Sequence, residues 1–281
     1  MVACGPFTSN SDLSYEALKD LMAAVQKDKP HCLILTGPFV SQTNEDVASG
    51  DLRYRDPGNG NLNFLDYDGL LREVFNFINA SLVKASPNTK LVIVPSTNEV
   101  THIYPLPQPA MGMPPTKLVA QSPVLTSNPA VFQLNDISVG IINADVVKDM
   151  CISMCIKNPT AQDTQAKPKI DLVLESMLQQ RSFYPLYPGS LTTPVEVEQF
   201  RGLMMESTPD ILITPSDLML FAKNIKGCIC VNPGTLFKSQ TAGNYAIITV
   251  DPLVLHHEEA AQDSLFSNRA GDRIRVDILN I

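Results

Sequence analysis

Leu33-Ile34-Leu35-Thr36-Gly37-Pro38-Phe39-Val40 is a short apolar run that ends in a Gly-Pro turn. The run reads as a buried strand and the Gly-Pro stops it. Two further runs end in comparable turns, Val2-Ala3-Cys4-Gly5-Pro6-Phe7 and Leu91-Val92-Ile93-Val94-Pro95-Ser96-Thr97. Between the first two lies Ser14 to Val25, where Leu18, Leu21, Met22 and Val25 form one apolar stripe and Ser14 is the expected N-cap. A second stripe, Leu70, Leu71, Val74, Phe75, Ile78 and Leu82, precedes the third strand, Lys90 to Val94. Strand-helix-strand repetition predicts a parallel α/β sheet with the strands ending at Cys4, Thr36 and Val94 side by side. Such ends converge on one crevice, the usual place for a site in an open α/β sheet. Here that crevice is lined by Gly, Pro, Phe, Ser and Thr, which can neither hold a metal nor move a proton.

The chain has 281 residues, enough for a large core. Hydrophobic residues make up 44%, within the globular range. A net charge of −8 and a pI near 5.0 argue against a broad phosphate-binding surface. No run of ~20 apolar residues is present, so no membrane span is expected. The start lacks a basic leader and enters a strand at once, which predicts no signal peptide and an absent upstream region. Reduced thiols in an intracellular protein are therefore expected. Of the six cysteines, none forms a CxxC pair. Cys228 and Cys230 should share one strand face as small core residues, and Cys151 and Cys155, at helical spacing, read as core packing. Asn79-Ala80-Ser81 matches a glycosylation sequon but falls in a helical pattern and reads as chance.

Further along, Ser41 to Asn63 reads as a long solvent loop. Tyr104 to Pro115 carries five prolines and reads as a rigid connection rather than a proline-rich ligand. Val131 to Ile142 predicts a hairpin turning at Asn135-Asp136. Helices are expected over Asp145 to Ile156, Asp171 to Gln180 and Val195 to Met205. Lys157 to Lys169 reads as a polar connection. Strands are expected over Asp210 to Thr214, Cys228 to Val231, Tyr245 to Val250 and Arg273 to Leu279. His256, His257, Glu258 and Glu259 are the densest ligand-type cluster, but adjacent histidines rarely converge alone, so a solvated loop is expected.

The strand-loop spacing resembles the calcineurin-like metallophosphoesterases, a two-sheet sandwich flanked by helices. Active members hold two metals about 3.5–4 Å apart through DxH, GDxxD, GNH(D/E), a lone His and GHxH. At DxH this chain has Gly5-Pro6-Phe7, and at GDxxD it has Gly37-Pro38-Phe39-Val40-Ser41. At GNH(D/E) it has Ser96-Thr97-Asn98-Glu99, near the lone His it has Tyr184-Pro185, and at GHxH it has Pro215-Ser216-Asp217-Leu218. Pro233 and Gly234 of the following Asn-Pro-Gly turn suit a type II turn. The vestigial metal-pocket positions are thus Gly5, Phe7, Pro38, Ser41, Thr97, Asn98, Ser216 and Leu218.

Val2-Ala3-Cys4-Gly5-Pro6-Phe7-Thr8, Leu35-Thr36-Gly37-Pro38-Phe39, Val94-Pro95-Ser96, Ser182 to Pro188 and Cys230 to Leu236 together resemble the B-subunit family of DNA polymerase alpha. This is one of the accessory families of the eukaryotic replicative polymerases that carry an inactivated phosphoesterase domain. The resemblance covers residues 1–281 as that single domain, without the OB-fold domain that precedes it in the family. It implies an α/β sandwich with no catalytic residue, metal or cofactor. It further implies a nuclear scaffold in replication initiation, docking the C-terminal domain of the polymerase alpha catalytic subunit and tied through it to primase. Tyr184, Tyr187 and Tyr104 are the candidate partner-binding residues; the alternative for these tyrosines is that they brace the sandwich. The alternative function is an active metal-dependent phosphoesterase or nuclease with displaced ligands such as Asp217, Glu99 and His102. A nucleic-acid-binding module is a third reading, opposed by the charge balance and by the lack of a basic aromatic stripe.

Overall fold

A computed structural model of the chain describes residues 1–55, 60–112, 122–155, 167–238, 241–253 and 270–281. In chain order the elements are β1 (Val2–Cys4), α1 (Glu16–Asp28), β2 (Cys32–Thr36), α2 (Glu45–Ser49), β3 (Arg53–Arg55), β4 (Leu62–Phe64), α3 (Tyr67–Ala85) and β5 (Lys90–Val94). They continue with β6 (Val124–Leu125), β7 (Ala130–Leu134), β8 (Ile137–Ile141), α4 (Val146–Ser153), α5 (Lys169–Gln180), a 3-10 helix over Val197–Leu203, and β9 (Ile211–Ile213). The last are β10 (Phe221–Ile225), β11 (Cys228–Asn232), β12 (Phe237–Lys238), β13 (Thr241–Ala242), β14 (Asn244–Val250), α6 (Ala270–Arg273) and β15 (Ile274–Asn280).

Two sheets carry the architecture. One runs β15-β14-β1-β2-β5-β6 and the other β10-β11-β9-β8-β7. Alternation along each strand explains how they stack, because successive side chains leave opposite faces. Val2, Cys4, Ile34, Val92 and Val94 pack against Val139, Ile141, Ile211, Ile213 and Val231 in the core between the sheets. Ala3, Leu33, Leu35, Leu91 and Ile93 face the other way, onto the apolar stripes of α1 and α3. Leu212, Cys228 and Cys230 likewise face α4 and α5. The central strands β1, β2, β5, β9 and β11 are covered on both faces, which is why they read as continuous apolar runs. Cys228 and Cys230 share one face as expected.

The three strand ends meet as expected. β1 and β5 flank β2 in parallel, with Cys4 paired to Thr36 and Thr36 paired to Val94. The hairpin of β7 and β8 turns at Asn135, whose φ is 56°. Among the described residues no helix is long and apolar enough to cross a membrane.

Several local expectations are corrected. Ser14 does not cap α1: its hydroxyl donates to the Asp12 carboxylate, and left-handed Tyr15 occupies the cap without a side-chain bond. The stretch from Ser41 to Asn63 is no bare loop, since it holds α2 and the β3–β4 hairpin, seated by buried Val47, Leu52 and Tyr54. The expected helix over Val195 to Met205 is a 3-10 helix over Val197–Leu203, because Val195 bridges to Leu106 in strand fashion instead. α4 is shorter than Asp145 to Ile156, with Asp145 as its N-cap, accepting from the Lys148 N–H. β10 was not expected. Its Phe-Ala-Lys-Asn-Ile alternation pairs with β11 across a Lys226-Gly227 turn with positive φ at both residues. Ile156, Pro114, Pro115, most of Lys157 to Lys169, and the His256–Glu259 cluster lie outside the described residues.

Candidate functional site

The crevice begins with two glycines in backbone contact. The Gly5 N–H donates to the Thr36 carbonyl at 2.8 Å, and the Gly37 N–H to the Val94 carbonyl at 2.9 Å. A Cβ on Gly5 would collide with the Pro38 carbonyl oxygen, so only glycine fits. Phe7 and Phe39 leave the crevice for the outer core beneath α1 and α3. Their rings stack at 5.1 Å, and Phe39 lies 4.9 Å from Phe75. The Tyr15 hydroxyl donates to the Phe39 carbonyl at 2.8 Å. Phe7 thus contributes a hydrocarbon ring to this core, and Pro38 offers no side-chain ligand.

Glu99 brings a carboxylate to this crevice, and it is buried. Its Oε2 accepts the Phe39 N–H at 2.5 Å and its Oε1 accepts the Val40 N–H at 2.8 Å. Burial outweighs these donors and pushes its pKa up to about 7. The loop after β5 is zipped to the loop after β2 by a Ser41–Glu99 bridge and by Val100 N–H to Val40 carbonyl at 3.0 Å. Half-buried Thr97 and exposed Asn98 follow the same seam, where the Asn98 Oδ1 accepts from Gln42 Nε2 at 3.1 Å. Both carboxylate oxygens of Glu99 thus serve the backbone.

The other displaced-ligand candidates go elsewhere. The His102 ring contacts the Pro109 carbonyl at 3.1 Å and Tyr104 at 4.8 Å, and burial lowers its pKa. Asp217 is exposed and pairs with Lys148 at 3.0 Å. Among the described residues no three His, Cys, Asp or Glu side chains come together as a metal site.

On the second sheet, buried Ser216 is held by Asn232. The Asn232 Oδ1 accepts the N–H groups of Ser216 and Gly234, and its Nδ2 donates to the Ser216 and Met219 carbonyls. Gly234 has φ 75°, as the third position of a type II turn requires. Leu218 packs on the core beneath α4 and α5. Sequence reading missed Asn143, which joins the two sheets at the crevice. Its Nδ2 donates to the carbonyls of Gly37 at 2.9 Å and Pro95 at 2.8 Å, and its N–H donates to Asn128 Oδ1 at 2.8 Å. Asn128 in turn donates to Gln108 Oε1 at 2.9 Å. No local pattern marks Asn143; only its place after the apolar β8 run, facing the strand ends, hints at such a role.

The three tyrosines part company. Tyr184 is fully buried, so it takes the bracing role rather than that of an exposed anchor. Its hydroxyl donates to Asp149 Oδ2 at 2.9 Å and accepts the Ser190 N–H at 3.0 Å, while Thr193 also donates to Asp149. Burial is the main cause that pushes the Tyr184 pKa up to about 12. Tyr187 and Tyr104 are 82% and 54% exposed.

The model of the family described as the B subunit of DNA polymerase alpha/epsilon matches residues 1–223. The B subunit of DNA polymerase alpha from Mus musculus is 29% identical over 285 residues, covering 100% of this chain and 43% of the relative. The Rattus norvegicus protein of the same name is 30% identical over 286 residues, with 100% and 43% covered. That of Saccharomyces cerevisiae is 28% identical over 322 residues, with 99% and 44% covered. The chain spans less than half the length of these curated relatives.

Proposed function

This chain belongs to the B-subunit family of DNA polymerases alpha and epsilon, and on that footing we propose that it is a non-catalytic accessory scaffold of the polymerase alpha–primase assembly. In this reading it acts in the nucleus and docks the C-terminal domain of the catalytic subunit. The observation that carries it is the inward turn of the crevice. Two-metal phosphoester hydrolysis needs several carboxylates and imidazoles converging on one open position. Here Phe7 and Phe39 fill a core, Pro38 is inert, and Glu99 is bonded to the backbone of its own fold. The net charge of −8 further suits a protein partner better than duplex DNA.

The test has two arms. The chain is mixed with the full-length polymerase alpha catalytic subunit, and a stable complex that survives gel filtration is expected. Separately, an aryl phosphodiester is offered with manganese, iron or zinc, and no turnover above the metal blank is expected. Turnover abolished by Asn98→Ala, or a failure to bind the catalytic subunit, would sink the scaffold reading.

A further inference from the structure

Among the described residues 19 large apolar side chains stand exposed, and six of them, Ile103, Tyr104, Tyr187, Leu191, Val197 and Phe200, lie on two stretches, 103–107 and 187–202, that run side by side as one shelf. The shelf is made of two segments laced together. The Leu106 N–H donates to the Pro194 carbonyl at 2.9 Å and the Glu196 N–H to the Leu106 carbonyl at 2.7 Å. Gly202 lies against Pro107 so closely that a Cβ there would meet the Pro107 ring at 2.7 Å.

The shelf is also held from beneath. Leu106 is fully buried, and the His102 ring packs against Tyr104 at a 49° tilt. Asp149, Tyr184, Ser190 and Thr193 tether the loop that carries Tyr187 and Leu191. Leu191 makes no use of the fold at 107% exposure. A rigid platform with its apolar side chains already turned to solvent loses little conformational entropy on binding. Aromatic side chains of this kind are the common anchors of interfaces.

Charge indicates what it takes. Glu196 and Glu198 flank Val197, and neither makes an ion pair among the described residues. Across residues 187–204 they face one cation, Arg201, and residues 103–112 carry no charge. We propose that this shelf docks a segment of the polymerase catalytic subunit that presents large apolar side chains beside lysines or arginines. The inference rests on the accessory-subunit reading and adds the surface and the chemistry of its complement. A single nucleic-acid strand could stack on the tyrosines, but its phosphates would meet the two carboxylates.

The dissociation constant of the 281-residue chain with the full-length catalytic subunit is the measurement. The double variant Tyr187→Asp/Leu191→Asp should weaken binding by about 30-fold or more. Glu196→Lys/Glu198→Lys should weaken it by about 3- to 10-fold, with less salt dependence. Phe64→Asp, on the exposed β3–β4 hairpin, should leave it within about twofold. If the double variant lowers the melting temperature, Leu191→Asp alone replaces it, because that side chain has no packing to lose. Wild-type chain that binds while the shelf variants bind equally well overturns the shelf and leaves the accessory reading standing. Wild-type chain that fails to bind overturns both. Binding of a fluorescent oligo-dT strand that the double variant abolishes, with affinity for the catalytic subunit unchanged, overturns the shelf as a protein-docking surface.

Discussion

At the strand-end crevice, Glu99, Asn143 and Asn232 commit their side chains to the backbone of neighbouring loops. At the shelf, Tyr187, Leu191 and Ile103 stand more than four-fifths exposed although a core lies directly beneath them. The two regions divide the usual duties of a site between them. The crevice holds polar groups, but it uses them as internal stitching. The shelf keeps no chemistry and offers apolar area. A buried polar group costs stability unless it is bonded, so stitched polar groups mark a region under folding constraint. Exposed apolar groups on a rigid base contribute little to folding and are free to serve association. Substitutions should therefore act on stability at the crevice and on binding at the shelf.

The largest effect should come from Gly5→Ala. The methyl meets the backbone of Pro38 rather than a movable side chain. A loss of about 3 kcal/mol or more is expected in urea unfolding. A near-neutral result would mean that the crevice loops are loosely held and would break the comparison at its root.

Asn143→Ala comes next. It strands two buried carbonyls, those of Gly37 and Pro95, and should cost about 2–3 kcal/mol. Asn143→Asp should cost at least as much, because a carboxylate cannot donate to either oxygen. If both variants match wild type in stability, the two sheets do not rely on this tie.

Glu99 gives a pH signature. Its pKa is raised by burial to about 7 in the folded chain, against an ordinary value of 4.5. The folded state therefore holds a proton that the unfolded state releases between these values. The associated stability is fully present below about 4.5 and is lost as pH rises through about 7. A decline on the order of 3 kcal/mol is expected across that window, and it should be absent in Glu99→Gln. Chemical denaturation from about pH 4.5 to about pH 8 would check it; stability that rises over this window would show that the Phe39 and Val40 donors outweigh burial.

The smallest stability effect should be at the shelf itself. Tyr187→Ala should change unfolding free energy by less than about 0.5 kcal/mol, while Tyr184→Phe should cost about 1–2 kcal/mol by leaving Asp149 and the Ser190 N–H short of a partner. The pair sharpens the contrast within three residues of sequence. Equal costs would place Tyr187 in the core as well.

Much of the sandwich is legible in the chain because its central strands are short continuous apolar runs closed by turn residues. The apolar runs ending at Cys4, Thr36 and Val94 carry enough pattern to bring those three residues into register. The shortage of ligand atoms at the crevice is equally plain, since the Phe7 and Pro38 side chains carry no donor atoms. What escaped was decided by contacts between distant segments. Glu99 looks like a surviving ligand until the Phe39 and Val40 N–H groups are seen to point at it. Tyr184 and Tyr187 share an aromatic Pro-rich run, and only the placement of Asp149, 35 residues before Tyr184, decides which one is buried. The 3-10 helix over Val197–Leu203 has a weak helical sequence between Pro194 and Gly202, and the bridge to Leu106 settles its start. The hairpin within Ser41 to Asn63 is short, polar and exposed along β4, so periodicity had little to read.

Asn143 also bears on the order in which the chain assembles. Its amide reaches carbonyls 106 and 48 residues earlier in the chain. Those bonds close only where the end of β8 meets the ends of β2 and β5. Contacts of such sequence separation form late and slow the folding of the whole domain. Once made, they leave the crevice loops no independent way to open. The backbone N–H groups of Gly37, Phe39 and Val40, each bonded across this seam, should then exchange with solvent deuterium only at the rate set by global unfolding. The strand-end crevice would then be among the last parts of the molecule to breathe.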